Sequence, residues 1–71
     1  MKIIVNDKET LSKDGLTVSE LLIEQEVKML DMVSVELNGQ ILKRSAFDET
    51  NLAEGDKVEF LYFMGGGSAV I

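Results

Sequence analysis

The 71-residue sequence predicts an α+β roll, in which a mixed sheet of four to five strands packs on one helix. Three observations carry this expectation. The chain opens on the β-branched run Ile3-Ile4-Val5. Thr17-Val18-Ser19-Glu20 has the form of a capping box that starts a helix. Asn38-Gly39, the dipeptide favoured by a type I′ turn, stands between two apolar segments and marks a hairpin.

Taken in order, Met1 to Val5 reads as a short strand, and Asn6-Asp7-Lys8 as a turn that returns Glu9-Thr10-Leu11 antiparallel to it. Asp14-Gly15 breaks the chain before the helix. There the Thr17 hydroxyl can accept from the Glu20 amide while the Glu20 carboxylate reaches back to the Thr17 amide, and Leu16 and Leu21 are spaced as a hydrophobic staple. Val18, Leu21, Leu22, Gln25 and Met29 trace one stripe of a three-turn helix, with Glu20, Glu24 and Lys28 on the other side. Val33 to Leu37 alternates apolar with polar, as a strand with one buried face does, and Gln40 to Lys43 should pair back on it. Ser45 to Leu52 reads as a connection with one helical turn, and Ala53 to Asp56 as the turn before a last strand, Lys57 to Met64. An opening hairpin followed by a capped helix suggests a β-grasp arrangement, with the first and last strands parallel at the sheet centre. Residues 1–64 are then the β-grasp domain, and residues 65–71 a flexible glycine-rich tail with a four-residue extension.

Composition narrows the chemistry. The chain has no Cys and no His, so disulfides, thiolate nucleophiles, zinc sites and imidazole bases are excluded together. Thirteen acidic against seven basic residues give a formal charge of −6, which argues against a nucleic-acid partner and suits a basic protein surface. No apolar run is long enough to span a bilayer and no signal peptide is evident, so a cytoplasmic protein is expected.

Several motifs bear on function. Gly65-Gly66-Gly67-Ser68 lacks the lysine of a phosphate-binding loop and opens no helix. Asp48, Glu49, Glu54 and Asp56 match no calcium-loop spacing, so no metal is expected. Lys43-Arg44 reads either as a solvated basic pair or as a contact for an acidic partner. Met29, Met32 and Met64 suit core or rim packing better than a cofactor site. In the last strand, if Val58, Phe60 and Tyr62 face the helix, then Glu59, Leu61 and Phe63 face the other way. Leu61 and Phe63 are then either covered by Leu42 or the connecting segment, or left as a docking patch. The residues alone leave both readings open.

Together, "IIVNDKE", "LTVSELL", "VELNGQIL" and "LAEGDKVEFLYFMGGG" resemble the small β-grasp sulfur carriers related to ubiquitin, the ThiS-like and MoaD-like proteins, with the thiamine branch the more similar. The resemblance covers nearly the whole chain. It implies a carrier and not an enzyme, with no cofactor bound. A ubiquitin-activating-type adenylyltransferase would use ATP and magnesium to adenylate the carboxylate of Gly67. Sulfur from a donor such as a cysteine desulfurase would convert it to a thiocarboxylate, for delivery to thiazole synthase or another acceptor enzyme. Gly65 and Gly66 would form the flexible lead, and Leu61 with Phe63 would dock the activating enzyme. Ser68-Ala69-Val70-Ile71 departs from the pattern, because it holds the Gly67 carbonyl in an amide. The implied remedy is cleavage between Gly67 and Ser68, as by a processing metalloprotease; the contrary reading is an inert extension on a carrier that no longer transfers sulfur. The alternative function is that of a ubiquitin-like modifier or a non-catalytic interaction module.

Overall fold

The computed structural model describes residues 1–63 and 69–70, with the backbone alone described for Phe63, Ala69 and Val70. Strands β1 (Lys2–Val5) and β2 (Lys8–Leu11) pair antiparallel, with Val5 opposite Lys8. That register leaves only Asn6 and Asp7 in the turn, both at positive φ (50° and 69°), the geometry of a type I′ hairpin. Helix α1 (Val18–Glu24) follows, then the hairpin of β3 (Val33–Leu37) and β4 (Gln40–Leu42), a single 3-10 turn (Arg44–Ala46), β5 (Lys57–Phe63) and β6 (Ala69–Val70).

The strand order is β2-β1-β5-β3-β4, with β6 added to β5. First and last long strands therefore lie side by side, and they run parallel, with Ile4 opposite Lys57 and Val5 opposite Val58. The other pairings are antiparallel. This is the β-grasp roll that the order of elements suggested. Its core sits between the sheet and α1. Ile3 and Val5 of β1, Val33 and Val35 of β3, and Val58 and Phe60 of β5 are buried against Val18, Leu21 and Leu22 of the helix. Leu16, Phe47 and Leu52 close its margin.

The capping box is formed in full. The Glu20 amide donates to Thr17 Oγ1 at 3.1 Å, and the Thr17 amide donates to Glu20 Oε1 at 2.9 Å. The far end of the helix differs from expectation. It stops at Glu24, with Gln25 as its C-cap and Glu26 left-handed at φ 55°. The Glu26 amide donates to the Ile23 carbonyl and the Val27 amide to that of Leu22, the two bonds of a Schellman motif, while Val27 packs on the core. These bonds satisfy carbonyls that a longer helix would have used. Met29, expected on the buried stripe, is instead 56% exposed in the following loop. The connection after β4 is tied to the start of α1: Val18 donates to Thr50 O and Leu52 to Leu16 O, which carries Phe47 and Leu52 inward.

Candidate functional site

The candidate site is the end of the central strand, so what holds β5 decides its geometry. Period-2 alternation puts Val58 and Phe60 in the core and leaves Glu59 and Leu61 half-buried on the open face. On one edge β3 pairs along nearly the whole strand, from Leu37 opposite Val58 to Val33 opposite Tyr62. On the other edge β1 reaches only Val58. Past that point Asn6 takes over: its amide donates to the Val58 carbonyl, and its side-chain Oδ1 accepts the Phe60 N–H, both at 2.9 Å. One turn residue thus extends the ladder by a rung, a role that the turn reading of Asn6 did not include.

These two bonds also orient the edge. Val58 and Phe60 direct their backbone polar groups toward β1, so by alternation Tyr62 does too. The residue opposite Tyr62 is Val70, and Ala69 lies opposite Phe63. Two residues after the glycines therefore form a strand on the outer edge of β5, an element the sequence reading lacked. Gly65, Gly66, Gly67 and Ser68, expected as the flexible lead, the reacting end and the processing site, lie outside the described residues, as does Met64. Phe63 ends β5, and its side chain is likewise not described.

The proposed cover for Leu61 is not where it was expected. Leu42 stands opposite buried Val35 and packs on the core, and Phe47 and Leu52 of the connecting segment are core residues as well. All three lie on the helix side of the sheet, whereas Leu61 faces the other way beside Ser34, its partner across the ladder. On that open face Glu36 sits directly opposite Glu59, a like-charge pairing that a sheet does not favour. The two line a shallow depression of about 180 Å³ with Gly39 and Lys57. The Lys57 ammonium points to Asp7, 4.0 Å away.

Other candidates prove to have structural roles. Arg44 donates to the carbonyls of Leu30 and Val33, the latter at 2.6 Å, and its guanidinium lies 5.5 Å over the Phe47 ring, so this exposed side chain also ties the loop before β3 to the 3-10 turn. Asp48 accepts the Ser19 hydroxyl and Glu54 accepts the Lys2 amide. Asp56 accepts from Ala53 N–H and from Asn38 Nδ2. Asn38 in turn accepts the Lys57 amide at 2.9 Å, so the hairpin turn also fixes the start of β5. Among the described residues, no three Asp or Glu side chains gather as a metal site, and no helix is long and apolar enough to cross a membrane.

The glycines thus follow a strand that is braced on both edges and buried on one face. A model of the ThiS family matches residues 1–67, a span that ends on the last of the three glycines. The chain belongs to the ThiS family. Two solved structures of a ThiS-family thiamine biosynthesis protein from Geobacter metallireducens are similar to it. The crystal structure is 49% identical with a TM-score of 0.87, covering 94% of this chain and all of that one. The solution structure is 48% identical with a TM-score of 0.76, covering 96% and 90%. A thiazole synthase from Paramagnetospirillum magneticum is 37% identical over 68 residues, 96% of this chain, and the chain spans only 21% of that relative's length. ThiS-family membership agrees with the sulfur-carrier resemblance of the sequence, and the neighbours share its β-grasp fold.

Proposed function

We propose that this chain is a sulfur carrier for thiazole formation in thiamine biosynthesis, a co-substrate of its partner enzymes and not a catalyst. The observation that carries the reading is the ThiS family match, which runs from the first strand to Gly67 and no further. The similar proteins are a thiamine biosynthesis protein and a thiazole synthase, which favours the thiamine branch.

The chemistry requires a carboxylate at Gly67. Hydrolysis of the Gly67–Ser68 amide adds water across the C–N bond, leaving the carboxylate on Gly67 and an amine on Ser68. A carboxylate oxygen then attacks the α-phosphorus of magnesium-bound ATP in the adenylyltransferase, and pyrophosphate leaves. A persulfide sulfur next attacks the acyl carbon and displaces AMP, and a second thiol breaks the resulting acyl disulfide to release the thiocarboxylate. Glycine suits this tail because the absence of Cβ lets the partner's backbone approach closely. Leu61, half-buried on the open face, and Phe63 would dock the activating enzyme, with Glu36 and Glu59 favouring a basic surface there.

ATP–pyrophosphate exchange by that enzyme tests the reading. A chain ending at Gly67 supports exchange and the 71-residue chain does not, while Leu61→Lys in the shorter chain raises KM by about tenfold or more with kcat little changed. Exchange with the shorter chain that leads to isopeptide bonds with lysines of other proteins, and to no thiocarboxylate when a persulfide donor is added, would favour the ubiquitin-like modifier instead.

A further inference from the structure

β6 lies where a foreign strand would add. A strand edge with free N–H and C=O groups accepts any extended backbone, and folded proteins usually cover such edges. The outer edge of β5 is covered by β1 as far as Val58 and by the Asn6 side chain at Phe60. From Tyr62 onward, among the described residues, its neighbour is β6. Tyr62 turns its polar backbone groups to this edge, so Tyr62 and Val70 form the hydrogen-bonded pair of the ladder, and Phe63 and Ala69 the pair between bonds.

We propose that Ala69–Val70 is an internal plug on the edge of β5: while it is paired, the strand edge beside Leu61 is closed to an extended segment of the activating enzyme. Residues beyond Gly67 then do two separate things. They hold the Gly67 carbonyl as an amide, and they occupy a surface that its partner needs. Cutting after Gly67 removes both obstacles at once, so a carrier that has not been processed neither reacts nor competes for the enzyme. The plug is only two residues long, which suits a segment that must be released. The identity of the excluded partner rests on the sulfur-carrier reading; the pairing itself does not.

Val70→Pro separates the two obstacles. Proline has no N–H to donate to Tyr62, so this variant of the 71-residue chain keeps the Gly67 amide but loses the plug. Three proteins are compared: the 71-residue chain, its Val70→Pro variant and a chain ending at Gly67. Amide hydrogen exchange is followed at Tyr62, and binding to the activating enzyme is measured without ATP. The Tyr62 amide exchanges about two- to tenfold faster in the variant and in the shorter chain than in the intact one, the range a single net hydrogen bond supplies. Both also bind the enzyme more tightly than the intact chain by a similar factor. Equal exchange at Tyr62 in all three overturns the plug whatever the enzyme does. Binding of Val70→Pro that matches the intact chain, while the shorter chain binds tighter, also overturns it. A shorter chain that binds as Val70→Pro does, yet is never adenylated, supports the plug and overturns the sulfur-carrier reading.

Discussion

Asn6 shows how much one residue can do in a chain this short. At φ 50° it holds the first hairpin turn, which asparagine tolerates better than most residues. Its carboxamide also accepts the Phe60 N–H, 54 residues along the chain. Only the first role was legible, because turn chemistry is local, whereas the second depends on β5 arriving alongside β1. The substitution Asn6→Gly isolates the second role, since glycine keeps the left-handed backbone but leaves a partly buried N–H without its partner. We expect it to lower the unfolding free energy by about 1–3 kcal/mol in urea titrations. Asn6→Asp, which keeps an acceptor, should lose less. A glycine variant as stable as the parent would remove Asn6 from the bracing of β5. Leu61 teaches the converse lesson: period-2 alternation was enough to place it on the open face, but not to show that Leu42 packs on the opposite side.

Strands β1 to β5 and their turns followed from local chemistry, whereas the end of the helix did not. Val18, Leu21 and Leu22 are buried as their spacing requires, but Gln25 and Met29 continued the same period beyond the true end. Nothing local announced the stop, because Glu26 occupies the left-handed position where glycine is usual. The helix start was legible in full, and it carries a pH dependence. The Thr17 amide bond, aided by Lys13, holds the Glu20 carboxyl below its ordinary value of 4.5. A carboxylate depressed in the folded state stabilises above its unfolded pKa, and that contribution is lost as pH falls through the folded pKa. Thermal melts of Glu20→Gln, which can still accept from Thr17, should therefore lose less stability than the parent between about pH 6 and pH 3. Parallel curves for the two proteins would contradict this linkage.

The whole molecule is a support for one strand end. β1 and Asn6 brace one edge of β5, β3 braces the other, and the helix buries one face, so the residues after Phe63 start from a fixed point. The fold was legible because capping box, hairpin dipeptide and alternation all pointed to one arrangement. The strand at Ala69–Val70 was not, since two residues after a glycine run carry no periodic signal. In the proposed function Gly67 becomes the sulfur-bearing end. The most direct test is tandem mass spectrometry of the 71-residue chain after incubation with protease, activating enzyme, ATP and a persulfide donor. The expected result is loss of residues 68–71 and exchange of one oxygen for sulfur, located by fragmentation at Gly67. An intact chain, or a cut chain that ends in an unaltered carboxylate while a known carrier in the same mixture acquires sulfur, would contradict it.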